Sequence, residues 1–142
     1  MKDLASNVDV KRVISPVSVA DNTAQVGQVV DGKGFAGVTY LIATGSLADA
    51  DATFTVLLEE SNASGSGFAA VADADLVGTE ALAGLAAGAR TSGTGKNVTK
   101  RIGYKGKKRY VQCGVKSTAT AGTLVSVTAV LHSPLVAPTS NP

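Results

Sequence analysis

The sequence predicts an all-β fold: a single-domain antiparallel β-sandwich, jelly-roll-like, of about eight strands with extended N- and C-terminal arms. Three observations lead there. The composition is rich in small and β-branched residues, with 22 Ala, 19 Val, 16 Gly and 14 Thr against three Phe, three Tyr and no Trp. Apolar residues recur at every second position over several short stretches, the period of a strand with one face buried. Clusters of Gly, Asp, Asn and Ser separate these stretches at spacings of about 8–20 residues. At 142 residues the chain suits one domain. Its parts are an N-terminal arm or edge strand (1–20), a sandwich (21–133) and an extended tail (134–142).

The elements follow in order. In 8–19, Val8, Val10, Val13, Ile14, Val17 and Val19 make an extended segment. Pro16 interrupts it and lacks a ladder donor, which assigns the segment to an edge or bend. Gln25–Val30 reads as a short strand, and Asp31-Gly32-Lys33-Gly34 as its turn. Over 36–44, Val38, Tyr40 and Ile42 share one face and Thr39, Leu41 and Ala43 the other. Both faces are fairly apolar, so this strand is expected to be central. Over 52–60, Phe54, Val56 and Leu58 alternate with Thr53, Thr55 and Leu57.

Residues 61–67 are loop by composition, and Phe68–Val71 a short strand. A helical turn is expected at 73–76 or 80–87, weakened by glycines that cost about 1 kcal/mol each. Val98–Tyr104 and Lys108–Lys116 read as the two strands of a hairpin with Lys105-Gly106-Lys107 at its tip. Residues 123–132 form the cleanest strand, with Val125, Val127, Ala129 and Leu131 inward. A core of such small side chains buries little area per residue. At about 25 cal/mol per Å² a lone monomer has modest stability, which self-association or a larger partner surface would relieve.

Composition also excludes functions. The one cysteine, Cys113, rules out an internal disulfide and a cysteine-rich zinc site. The one histidine, His132, makes a Ser-His-Asp triad hard to assemble. No run of 18 apolar residues exists to span a membrane, and Met1–Asn7 lacks a signal-peptide stretch. The expectation is a protein made in the cytoplasm and kept there or in a particle assembled there. Gly93-Thr94-Gly95-Lys96 fails as a phosphate loop, because Asn97 follows the lysine. No catalytic, cofactor-binding or metal-ligating residue is assigned. Glu59-Glu60 reads as a pair of solvated strand-end carboxylates, and Asp49, Asp51, Asp73 and Asp75 lack a calcium-loop ladder.

Charge is the informative feature. All 11 acidic residues lie in 1–80, whereas 81–142 holds nine basic residues and no acid. Seven of those nine fall between Lys96 and Arg109. Lys100, Arg101, Lys105, Lys107, Lys108 and Arg109, with Tyr104 and Tyr110 among them, form the candidate docking set. Three readings stand: a grip on nucleic acid, docking on an acidic protein surface, and a solvated hairpin whose lysines discourage edge pairing. Tyr104 and Tyr110 flank the turn and are placed to pair across the hairpin. Chain halves interleave in a compact domain, which shrinks the apparent dipole.

Four stretches occur in a familiar order: Val38–Glu60 (VTYLIATGSLADADATFTVLLEE), Val71–Thr79 (VADADLVGT), Arg101–Val111 (RIGYKGKKRYV) and Val125–Pro138. From residue 25 to residue 138 the chain resembles small structural proteins of tailed bacteriophages and prophages. That resemblance implies a non-enzymatic virion protein of β-sandwich or jelly-roll fold that decorates and cements the capsid exterior. The expected mechanism is clamping: many copies bridge neighbouring subunits of the major capsid protein, and a homotrimer on local three-fold axes would multiply a weak contact by avidity. No membrane or cofactor enters this picture, and nucleic acid is the lesser partner. The alternative is a head–tail or tail component, or a sugar-binding β module of the virion.

Overall fold

The computed structural model describes residues 3–46, 52–85, 97–118 and 123–136. Two five-stranded antiparallel sheets pack face to face. The strands are β1 (Val8–Val19), β2 (Ala24–Val26), β3 (Val30–Asp31), β4 (Phe35–Thr44), β5 (Thr53–Ser61), β6 (Ala69–Ala70), β7 (Leu76–Val77), β8 (Thr99–Tyr104), β9 (Tyr110–Thr118) and β10 (Thr123–Pro134). The first sheet has the order β1-β10-β4-β8-β7. The second has β2-β9-β5-β6, with β3 also paired to β9.

The pairings nest. β1 pairs with β10, β2 and β3 with β9, β4 with β8, and β5 with β6. That is one long antiparallel hairpin rolled so that β10 also meets β4 and β9 also meets β5. The result is a jelly roll. The ten strands of the described residues exceed the expected eight or so because β3, β6 and β7 are two-residue pieces.

Alternation positions the core as the sequence predicts. Tyr40, Leu58, Ile102, Cys113, Val127 and Ala129 are fully buried between the sheets. Each large side chain buried there contributes about 1.5–3 kcal/mol. β4 is the middle strand of its sheet, with Val38, Tyr40 and Ile42 inward and Thr39, Leu41 and Ala43 outward.

Residues 8–19 form an edge strand, with register shifts between Arg12 and Ile14 and between Ile14 and Val17. The first shift lets two consecutive residues, Val13 and Ile14, both enter the core. Pro16 sits inside the second, where no ladder donor is needed.

The expected strand over 25–30 is broken in two. A Cβ on Gly27 would lie 2.3 Å from the Val13 side chain and 2.5 Å from the Cys113 carbonyl oxygen. The Gly27 amide donates to Cys113 at 3.0 Å, and the Gln28 amide donates to Val13 of the other sheet, also at 3.0 Å. The chain therefore stitches the two sheets here, and only glycine leaves room for it.

Among the described residues, helix is confined to a 3-10 turn at Ala5–Asn7, another at Asp73–Asp75 and α1 (Glu80–Ala83). Thr79 caps α1 by accepting from the Leu82 amide at 3.1 Å. Gly84 ends it, where a Cβ would come within 2.4 Å of the Phe54 carbonyl oxygen of β5.

Candidate functional site

The basic segment does not form a hairpin. β8 pairs with β4 and β7 in the first sheet, and β9 pairs with β2, β3 and β5 in the second. Lys105–Arg109 is therefore a crossover from one sheet to the other. The reason lies in the distant strands that each segment meets. Both segments have an apolar face that must meet the core, and each reaches it from an opposite side of the sandwich. Tyr104 and Tyr110 are accordingly not cross-strand partners.

Tyr104 instead anchors the crossover. It is 4% exposed, and its hydroxyl donates to Glu60 Oε2 at 2.6 Å. The same hydroxyl accepts from the Lys108 amide at 3.0 Å. Lys108 Nζ lies 3.3 Å from Glu60 Oε1. Glu60 is thus a buried carboxylate with two partners, not the solvated strand end the sequence implies. Its neighbour Glu59 accepts from Gln112 at 2.7 Å on the opposite face. Burial, followed by the bond to Glu60, pushes the Tyr104 phenol well above its ordinary range.

Arg109 is committed as well. Its Nε donates to Asp31 Oδ1 at 2.8 Å and its terminal nitrogen to Oδ2 at 2.6 Å, a two-pronged pairing. The guanidinium lies 5.0 Å from the centre of the Tyr110 ring. The bond to Arg109 holds the Asp31 carboxyl below its ordinary range. Both side chains are nearly half exposed, so solvent screens the pair and it adds little to stability. Each of these two ion pairs joins an acid of the first half of the chain to a base of the second. The sequence dipole is partly cancelled in space.

The six-residue docking set therefore does not meet as one patch. Lys108 and Arg109 are matched internally. Lys105 and Lys107 are exposed on the crossover. Lys100 stands in register with inward-facing Ile42, and Arg101 with outward-facing Leu41. Adjacent strand residues take opposite faces, and Lys100 is about 14 Å along the strand from Tyr104.

Cys113 is wholly buried, and burial pushes its thiol up to about 12, which leaves an inert core residue. His132 lies on the outer face of the first sheet. Its ring covers Gly37, and its Nε2 is 3.1 Å from Thr39 Oγ1. Asp73 and Asp75 belong to a 3-10 turn, and Asp49 and Asp51 lie outside the described residues. Among the described residues no three His, Cys, Asp or Glu side chains gather as a metal site, and no helix is long and apolar enough to cross a membrane.

The feature that sequence reasoning missed is the outer face of the first sheet. Arg12, Thr128, Leu41 and Arg101 stand in one row across β1, β10, β4 and β8. Val10, Val130, Thr39, Gly103 and Val77 form the next row across all five strands. The five strands contain one carboxylate, Asp9. Asp9 shares the inward side with Leu131 and is held by Lys11 Nζ at 2.8 Å. A solvated sheet face ordinarily alternates with polar and charged residues of both signs. The signal was present in the sequence as outward positions of β1, β4, β8 and β10 without Asp or Glu, but only the sheet order places them side by side.

No protein-family model and no curated protein matches the sequence. Solved structures do resemble the fold. A chain of the infectious bursal disease virus Gx strain aligns over 92% of this chain at 8% identity, with a TM-score of 0.51. The xylanase 10B CBM22-1–GH10 structure of Clostridium thermocellum aligns over 96% at 9% identity and a TM-score of 0.47. The Eiger TNF of S. frugiperda aligns over 97% at 13% identity, with a TM-score of 0.37, and 93% of that chain is covered. The present chain spans 33% of the viral chain and 30% of the xylanase chain. The viral likeness at this identity is one of fold, a β-sandwich shared with a protein of a virus particle.

Proposed function

We propose that this protein is a non-enzymatic structural component of a tailed-phage virion that decorates the capsid and stabilises it by bridging major capsid protein subunits. The observation that supports this best is where the phage-like sequence blocks fall. Val38–Glu60 supplies most of β4 and all but the last residue of β5, the inner strands of the two sheets, and Arg101–Val111 supplies the crossover between the sheets. The resemblance thus lies in the frame of the jelly roll and not in one surface loop. The likeness of that frame to a chain of a virus particle agrees with it.

In this reading each copy contributes a modest contact, and a homotrimer on a local three-fold axis multiplies it by avidity. The protein is made in the host cytoplasm and resides on the capsid surface.

The test is reconstitution. Shells purified without this protein are mixed with it and pelleted, and bound copies are counted. Saturation at hundreds of copies, with shells that resist heat better, is the expected result. A dozen copies or fewer would move the protein to a vertex or the tail.

A further inference from the structure

We propose that the outer face of the β1-β10-β4-β8-β7 sheet, centred on the row from Arg12 to Arg101, is the surface that docks on the shell, and that it takes an acidic protein surface. This rests on the virion reading and names the face and the chemistry of the partner.

Charge complementarity carries the argument. The two guanidiniums stand at the ends of a row three strand spacings wide, about 14 Å between their backbones. Both side chains are exposed, and no ion pair engages either among the described residues. Between them lie Leu41 and Thr128, and the neighbouring row is Val10, Val130, Thr39, Gly103 and Val77. Gly103, the fourth of the five, carries no side chain, and the Val77 side chain lies 3.0 Å from where its Cβ would be. Val10 and Val77, at its two ends, are 49% and 59% exposed. The face is therefore low, apolar at its middle and positive at two points.

A second copy does not complement it. A two-fold contact through this face would set arginines against a surface whose strands offer no outward carboxylate, and like charges brought together oppose association. Nucleic acid fits poorly too, since two phosphate contacts give little affinity at ordinary salt. A protein surface with carboxylates spaced to meet Arg12 and Arg101, and small residues between, matches both features. The crossover is the weaker candidate, because two of its four cations already have carboxylate partners within the chain.

The experiment uses the full chain and shells lacking it. Three variants are compared with wild type: Arg12→Glu/Arg101→Glu, Leu41→Asp, and Lys105→Glu/Lys107→Glu. Circular dichroism and sedimentation confirm that each is folded and report its self-association. The arginine double reversal is expected to weaken shell binding at least about 30-fold, while the lysine double reversal stays within about three-fold of wild type. Leu41→Asp is expected to weaken binding about ten-fold, since it introduces a carboxylate at the centre of the contact. Wild-type binding is expected to fall as salt rises from about 0.05 to about 0.5 M.

Wild-type binding with an unaffected arginine variant overturns the assignment of the face and leaves the virion reading standing. Loss of binding in the lysine variant alone assigns docking to the crossover and has the same consequence. Dissociation of a wild-type oligomer by the arginine reversal makes the face a self-contact and overturns the proposal. Failure of wild type to bind shells, or binding to DNA in their place, overturns both readings together.

Discussion

Removal of a single oxygen tests the anchoring of the crossover. In Tyr104→Phe the ring stays in the core, and the 2.6 Å bond to Glu60 and the 3.0 Å bond from the Lys108 amide disappear. Glu60 is 8% exposed and among the described residues keeps only the Lys108 ammonium, at 3.3 Å, as a side-chain partner. A hydrogen bond to a charged group contributes about 1.5–3 kcal/mol, and stranding a buried acceptor costs its desolvation. The Lys108 amide is part-buried, so water recovers some of its loss, leaving about 0.5–1 kcal/mol. The total is about 2–4 kcal/mol, a large share of the stability of a small domain. With an m-value of about 2 kcal/mol per M in urea, the unfolding midpoint falls by roughly 1–2 M. Far-UV circular dichroism follows it, since the chain has no Trp. Glu60→Gln retains an acceptor and is expected to cost about 1–2 kcal/mol. The double variant should show a coupling of about 1 kcal/mol or more. A Tyr104→Phe change below about 0.5 kcal/mol at constant m, or no coupling to Glu60, would refute the anchor.

Two further outcomes follow from the core. Tyr40 is fully buried, and its hydroxyl has no hydrogen-bond partner among the described residues. Tyr40→Phe is therefore expected to be neutral or to stabilise by up to about 1 kcal/mol, and a loss above that in the same urea titration would contradict it. The second outcome concerns alkali. Burial raises the Cys113 thiol from 9.0 to about 12. The unfolded chain ionises first, so this contribution is whole below pH 9 and declines as pH rises through the window up to about 12. The loss from this group is about 1.4 kcal/mol at pH 10, and Tyr40 and Tyr104, both raised by burial, add to it at higher pH. Unfolding free energies at pH 8, 9 and 10 should show that decline in wild type and a flatter profile in Cys113→Ala. Equal slopes would place the thiol in contact with water.

The candidate surface was legible only in part. Arg101, Lys105 and Lys107 are exposed as the charge run implies, yet the run itself is dispersed. Lys108 and Arg109 find Glu60 and Asp31 from strands far away in sequence. Glu60 looked solvated because its neighbour is also an acid at a strand end. Its burial depends on Tyr104 arriving from the other sheet. The flat face was hidden for the same reason: Arg12 and Arg101 are 89 positions apart and meet only through β10 and β4.

The sequence by itself determined where the long strands run and which side of each is core, though not the break at Gly27 that splits 25–30 or the two-residue β7. Facing has a period of two and depends on adjacent positions alone, so Val38, Tyr40 and Ile42, or Val125 through Leu131, could be read inward without knowing any partner. It also determined that a proline-bearing first segment belongs at an edge. The tertiary structure decided which strands pair. Two consecutive strands with a short basic connection satisfy the local rules of a hairpin and of an inter-sheet crossover equally well. The difference is made by distant strands: β4 and β7 claim β8, and β5, β2 and β3 claim β9, with Tyr104 and Glu60 closing the crossing between them. Pairing energy is shared among partners far apart in the chain, and no local pattern records it.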